Sequence, residues 1–249
     1  MPKAIGIIPS RFASRRFPGK PLALLGGLPI IVRVLNQANQ ASLLDDIFVA
    51  TDDERIANVV EHHGGKAILV KGEYHCGSER VAVAARNLGA DIVLNIQGDE
   101  PLLSPSVVDS VAQALIDNPD EVMSTACSPM ENASEADNPN IVKVVLAKDG
   151  RALYFSRSRI PFWAAHDKAE SEAANLLTFY HHIGIYGFTH DFLQKFALLP
   201  RSPLEIAENL EQLRALENGY AIKCVIAKQE FLGIDSADEL MAAERRLLK

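Results

Sequence analysis

Through the first half of the chain, short apolar runs alternate with longer amphipathic stretches. Residues 5–8, 47–50, 67–70 and 92–96 are β-rich runs bounded by turn or charged residues, the pattern of buried strands. Between them, residues 30–41, 53–62 and 78–88 carry apolar side chains at helical spacing. Asp52 or Asp53 is a candidate N-cap for the second of these, and Gly64-Gly65 closes it. Another helix is expected over 106–116, capped by Ser104 or Ser106. Such strand–helix alternation predicts parallel strands joined by right-handed crossovers, an α/β fold. The second half reads differently. Runs at 142–147 and 152–155 flank Lys148-Asp149-Gly150, whose Asp-Gly signals a hairpin. A strand is expected at 182–188 and helices at 191–197 and 204–217, the latter ended by Asn218-Gly219. A strand at 221–227 and a terminal helix at 236–248, capped by Ser236, complete the pattern. Residues 164–176, rich in Ala, Glu, Asp, Lys and Ser, read as a mobile excursion.

The 249 residues carry 48% hydrophobic and 23% charged side chains, an ordinary globular composition with ample material for one core. With no repeat and no clear linker, one domain with an inserted hairpin subregion is expected. Cys76, Cys127 and Cys224 are odd in number and form no C-x-x-C pair, so neither a disulfide framework nor a structural zinc site is expected, and a reducing cytosol fits. No run approaches the about 20 apolar residues of a membrane-spanning helix, and the N-terminal apolar run is too short for a signal peptide. The net charge of −7 argues against nucleic acid as a partner.

That acidity throws one segment into relief. Between Pro9 and Pro21 the chain reads PSRFASRRFPGKP, and no acidic residue precedes Asp45. In open α/β sheets, ligands sit at the carboxyl ends of the strands, where this loop falls. Arg11, Arg15 or Arg16, and Lys20 suit a triphosphate, with Gly19 and Ala13-Ser14 amides as further donors. Neither the Walker pattern nor G-x-G-x-x-G is present, so an NAD-dependent oxidoreductase loses its main support. The second strand end gives Ala50-Thr51-Asp52-Asp53, suited to reading a base or ribose or to capping a helix. The fourth gives Gln97-Gly98-Asp99-Glu100, an acidic residue opposite the cationic loop, as Mg²⁺ requires; Asp235, after Gly233-Ile234, is the candidate second carboxylate. Adjacent His181 and His182 point to opposite strand faces, so one of them facing a substrate is more economical than a shared zinc.

In order, IIPSRFASRRFPGKPL, ATDDERI, GSERVA, VLNIQGDEPL, NPNIVKVV, ALYFSRSRIP, HIGIYGF, LEQLRALENG and GIDSADEL resemble the 3-deoxy-manno-octulosonate cytidylyltransferases over nearly the full length. The resemblance implies a mostly parallel Rossmann-like nucleotidyltransferase sheet flanked by helices. Residues 1–130 and 200–249 would form the nucleotide-binding core of a single domain spanning 1–249, and 131–199 a subregion for sugar binding and homodimer formation. The implied reaction is Mg²⁺-dependent transfer of CMP from CTP to the anomeric hydroxyl of 3-deoxy-D-manno-octulosonate (Kdo), releasing pyrophosphate, a cytoplasmic step of lipopolysaccharide biosynthesis. By resemblance, Arg11, Arg16 and Lys20 bind the triphosphate, and Ala50, Thr51, Ser78 and Arg80 surround the cytidine. Asp99 and Asp235 hold Mg²⁺, while Gln97, Arg157, His182, Tyr186, Glu211 and Gln212 line the sugar site. Arg11, Lys20, Asp99 and Asp235 carry the catalysis.

The chain departs from the family pattern at three places. Cys76-Gly77-Ser78-Glu79-Arg80 replaces S-G-T-[DE]-R, His181 stands where arginine is frequent, and Ile160-Pro161-Phe162-Trp163 replaces an I-P-Y ending. These leave the nucleotide end intact and bear on the sugar, so an 8-amino analogue of Kdo is an alternative acceptor. A CTP-binding module without chemistry is the competing reading from another class.

Overall fold

In the first strand, β1 (Ala4–Ser10), both sets of alternating side chains are buried, as a strand covered on two faces requires. Ala4 and Ile8 face one apolar cluster, Ile5 and Ile7 another. The computed structural model describes residues 1–13, 17–162, 178–229 and 237–247. Arg15, Arg16, the excursion expected at 164–176, and Gly233, Ile234, Asp235 and Ser236 lie outside the described residues.

A short hairpin, β2 (Leu24–Leu25) and β3 (Leu28–Pro29), leads into helix α1 (Ile30–Ala38). Strand β4 (Asp46–Thr51), helix α2 (Glu54–His62), strand β5 (Lys66–Leu69), helix α3 (Gly77–Ala85), strand β6 (Ile92–Ile96) and helix α4 (Pro105–Asp117) follow in strict alternation. Next come β7 (Met123–Pro129), the hairpin β8 (Lys143–Leu146) and β9 (Ala152–Ser156), and the ten-residue β10 (Tyr180–Thr189). Helices α5 (His190–Phe196), α6 (Pro203–Glu208) and α7 (Leu213–Glu217), strand β11 (Lys223–Ile226) and helix α8 (Ala237–Leu247) end the described chain.

The main sheet runs β11-β7-β10-β6-β1-β4-β5, with β8 joined to β10 and β9 to β8. Pairs β6–β1, β1–β4, β4–β5 and β11–β7 are parallel, whereas β10 is antiparallel to β6, β7 and β8. Every strand of the main path except β10 therefore points the same way, and the mostly parallel α/β sheet expected from the alternation is what forms. One core holds α1, α2, α4 and Ala243 of α8 against one face; α3, α5 and α7 pack on the other.

Four features differ from the sequence expectation. The strand expected at 182–188, assigned with 131–199 to the inserted subregion, sits mid-sheet between β6 and β7. Strand β7 was not anticipated, because Ser124, Thr125, Cys127 and Ser128 break the apolar pattern. All four are buried, and Ser124 Oγ and Thr125 Oγ1 donate to the Val111 and Ile185 carbonyls. The two-strand hairpin β2–β3 was not anticipated either. The single helix expected at 204–217 is two helices, α6 and α7, separated by Asn209 at φ 53°, left-handed backbone that asparagine tolerates better than most residues.

Candidate active site

The loop after β1 is closed by the Gly19 amide donating to the Phe12 carbonyl (3.0 Å), with Gly19 at φ 72°, a conformation costly for any residue with a Cβ. Phe12 is pinned by the Arg55 guanidinium, 3.5 Å above its ring. The closure turns Lys20 inward: its side chain is 11% exposed, and Nζ donates to Asp99 Oδ2 at 2.8 Å. The cationic loop and the carboxylate after β6, 79 residues apart, thus meet at the carboxyl edge of the sheet. Asp99 keeps 40% of its side chain exposed, and Arg11, at the start of the loop, is exposed. A half-exposed carboxylate next to cations that suit phosphate fits Mg²⁺, which takes one or two carboxylates and completes its shell with phosphate oxygens and water. Among the described residues no group of three or more His, Cys, Asp or Glu is placed to hold a metal.

At the neighbouring strand end, Ala50 and Thr51 are fully buried and Ser10 lies opposite Thr51 in register. Both aspartates that follow have structural partners. Asp53 caps α2 through the Arg55 amide (2.9 Å), and Asp52 Oδ2 accepts from Arg80 Nη2 at 3.0 Å. Arg80, buried on α3, also donates to the Val70 carbonyl (2.8 Å) and lies 5.0 Å from the Tyr74 ring centroid. The structure therefore brings Thr51, Ser78 and Arg80 to one end of the sheet.

A chain of hydrogen bonds leads from there to the next site. Gln97 Nε2 donates to Asn95 Oδ1 (3.3 Å), Asn95 Nδ2 to Ser78 Oγ (2.9 Å), and the Ser78 amide to Glu211 Oε2 (3.1 Å). The last contact spans 133 residues and puts a carboxylate at the start of α3, whose N-cap residue Cys76 supplies no side-chain cap. Burial raises the Glu211 carboxyl, opposed by hydrogen bonds from the Cys76 thiol and Ser78. Burial and Glu211 together push the Cys76 thiol well above the ordinary range, so it is protonated and serves as a donor. Arg214 secures the segment: fully buried, it forks onto Glu205 at 2.8 and 2.7 Å and reaches Glu79 on α3 at 3.0 Å.

On β10, a register shift against β7 between Ile183 and Tyr186 re-aims the strand, and Gln97 packs over Gly184, where a Cβ would sit 3.3 Å from its Cγ. Thr125 Oγ1 donates to the Ile185 carbonyl (2.7 Å), so it accepts from His182 Nε2 (2.9 Å), leaving Nδ1 as the lone-pair nitrogen. Burial, then the neighbouring His181, lowers His182 to about 3; burial and Lys143 lower His181 to about 4, so both rings are neutral at pH 7. His182 packs edge-to-face with Phe155 (4.8 Å) and tilted against Tyr186 (5.5 Å). Tyr186 donates to Gln212 Oε1 at 3.0 Å. Among the described residues, Gln212 Nε2 and Ser10 Oγ are buried without a hydrogen-bond partner. Arg157 donates Nε to the Glu208 carbonyl (2.8 Å) and Nη1 to that of Pro139 (3.1 Å); among the described residues it meets no carboxylate through its guanidinium.

A match to the cytidylyltransferase family spans residues 5–226. A 3-deoxy-manno-octulosonate cytidylyltransferase of Pelobacter propionicus is 44% identical over 243 residues, covering 96% of this chain and 95% of that protein. One of Bacteroides thetaiotaomicron is 45% identical, covering 98% of each. The chain belongs to this cytidylyltransferase family. It is a nucleotidyltransferase. A solved CMP:2-keto-3-deoxy-manno-octonic acid synthetase complexed with CTP superposes with a TM-score of 0.91 at 36% identity, over 99% of this chain and 98% of that one. A 4-diphosphocytidyl-2C-methyl-D-erythritol synthase from Anaerococcus prevotii shares the fold, with a TM-score of 0.62 at 14% identity.

Of the family positions anticipated from sequence, the structure joins Lys20 to Asp99, Gln97 to Ser78 and Glu211 through Asn95, and Tyr186 to Gln212. Arg157 is held by the Glu208 and Pro139 carbonyls and lies close enough to Tyr186 to act on it electrostatically. Arg16 and Asp235 lie outside the described residues. Asn95, Thr125 and Arg214 were missed. Asn95 had a signal, a polar amide inside the apolar run VLNIQ; Thr125 and Arg214 acquire meaning only through partners distant in sequence.

Proposed function

We propose that this nucleotidyltransferase moves CMP from CTP to the anomeric hydroxyl of 3-deoxy-D-manno-octulosonate, releasing pyrophosphate. The Lys20–Asp99 contact carries the reading, because it sets a phosphate-binding cation and an exposed carboxylate side by side at the sheet's ligand edge. Arg11, Arg16 and Lys20 neutralise the triphosphate, and Ala50, Thr51, Ser78 and Arg80 enclose the cytidine. Asp99 and Asp235 would hold Mg²⁺, which supplies charge neutralisation of the phosphoryl oxygens and leaving group and acidifies the attacking hydroxyl.

The sugar oxygen forms a bond to the α-phosphorus, the bond to the bridging oxygen breaks, and its electrons leave with pyrophosphate as the hydroxyl proton passes to solvent water. Little covalent work falls to the protein; positioning and electrostatics dominate. Gln97, Glu211 and Gln212 offer hydrogen bonds to sugar hydroxyls, with the buried Gln212 Nε2 as an unspent donor. Neutral His182 accepts through Nδ1, and Tyr186 keeps Gln212 in place. The Arg157 guanidinium takes the sugar's carboxylate. In this reading residues 131–199 also supply the surface of a homodimer, for which the outer strand β9 with exposed Leu153 and the exposed Phe162 are suited, and the enzyme works in the cytoplasm.

The test is pyrophosphate release from CTP and Mg²⁺ with Kdo and with its 8-amino analogue as separate acceptors. Release with Kdo supports the reading. Release with the analogue alone reassigns the acceptor, and tight CTP binding with no release from either overturns the enzyme reading.

A further inference from the structure

The motif NPNIVKVV places a lysine in the middle of an apolar strand, and the site described above leaves it unused. Lys143 is fully buried on β8, opposite Ser156 of β9 and His181 of β10. Its ammonium donates to three main-chain carbonyls, those of Asn138 (2.9 Å), Ile141 (2.6 Å) and Arg157 (2.5 Å). The loop supplying the first two also presents the Pro139 carbonyl to Arg157 Nη1. One lysine thus grips Arg157 twice, through its own carbonyl and through the loop that orients its guanidinium. From the other side, Glu208 accepts from the Arg157 amide (2.9 Å) and the Ser156 hydroxyl (2.6 Å), so that carboxylate is already engaged.

All three acceptors on Lys143 are neutral. A buried ammonium held only by carbonyls is satisfied in hydrogen bonds yet retains its charge. Burial lowers its pKa, Glu208 opposes that effect, and the nearby Arg157 reinforces it. Lys143 and Arg157 therefore share this corner with the Glu208 and Asp137 carboxylates, and among the described residues no carboxylate meets the Arg157 guanidinium.

We propose that Lys143 is a positioning residue for the sugar acid, fixing Arg157 and placing a second positive charge behind it for the substrate's carboxylate. This rests on the proposed acceptor, a sugar bearing a carboxylate.

The experiment compares wild type with Lys143→Met in pyrophosphate release under separately varied Kdo and CTP. The expected result is a KM for Kdo raised about tenfold, with KM for CTP and kcat changed less than about twofold. Equal losses in both KM values, or no change, would overturn the proposal. Should Lys143→Met fail to fold, the ¹⁵N ammonium signal of Lys143 in the wild type decides: it is expected to shift on adding Kdo and not CTP, and indifference to Kdo would overturn the proposal. Should wild type release no pyrophosphate with Kdo, the acceptor reading fails by itself. The Arg157 Nη1–H signal then judges the grip, supporting it if exchange is slow in wild type and fast in Lys143→Met, and overturning it if the two exchange alike.

Discussion

Single side chains at this site do their work through protonation states set by burial. Asp99 is half exposed and paired with Lys20, so its proposed metal role can be tested at little cost to the fold. Asp99→Asn is expected to lower pyrophosphate release by a factor on the order of 10³ while the melting temperature stays within about 2 °C. Unchanged turnover would remove Asp99 from the metal role. His182 behaves in the opposite sense. Its folded pKa of about 3 lies below the ordinary histidine value, so the unfolded chain takes up a proton first as pH falls. Its stabilising contribution is complete above about pH 6.5 and declines as pH drops toward the folded value. Going from pH 7 to pH 5 should cost about 2 kcal/mol through this residue, and denaturant titrations of His182→Gln should show a flatter pH profile over that interval. An identical profile would mean that the ring is solvated.

At the scale of elements, the break between α6 and α7 matters more than either helix. A continuous helix over 204–217 would carry Glu211 and Gln212 on a regular helical face. Asn209, in left-handed backbone, instead lets the chain turn so that Glu211 meets the start of α3 and Gln212 meets Tyr186. Asn209→Gly is expected to keep stability within about 0.5 kcal/mol, whereas Asn209→Ala should cost about 1 kcal/mol from the strained φ. Chemical unfolding measures both, and KM for the sugar should rise in the alanine variant first. Sequence periodicity alone favoured the unbroken helix, since the apolar spacing of Leu204, Ile206, Leu210, Leu213 and Leu216 continues through Asn209. Strand β7 was invisible for the converse reason. Its buried hydroxyls look like surface residues until the Val111 and Ile185 carbonyls are known to accept from them.

For the whole molecule, the site is an edge where stretches of chain far apart in sequence meet, so ligand binding and global stability are coupled. CTP with Mg²⁺ at about 100 times its Kd should add about 2.7 kcal/mol, raising the melting temperature by about 5–10 °C. A chelator should remove most of that gain, which differential scanning of the same sample can follow; a shift indifferent to the chelator would argue against a metal-dependent complex. The sequence by itself determined the β–α alternation, the hairpin at Asp149-Gly150, and the chemistry of the strand ends: the cationic loop around Lys20, the acidic turn at Asp99 and the family these motifs belong to. Those are local properties, written in periodicity and in residue type within a few positions. Only the tertiary structure decided that β10 enters antiparallel between β6 and β7, and that Gln97, Asn95, Ser78 and Glu211 form one hydrogen-bonded line. It alone also showed that Lys143 lies buried behind Arg157. A buried polar side chain is defined by what satisfies it, and here the partners lie up to 138 residues away. No local pattern can register a partner at that separation; the packed sheet supplies it.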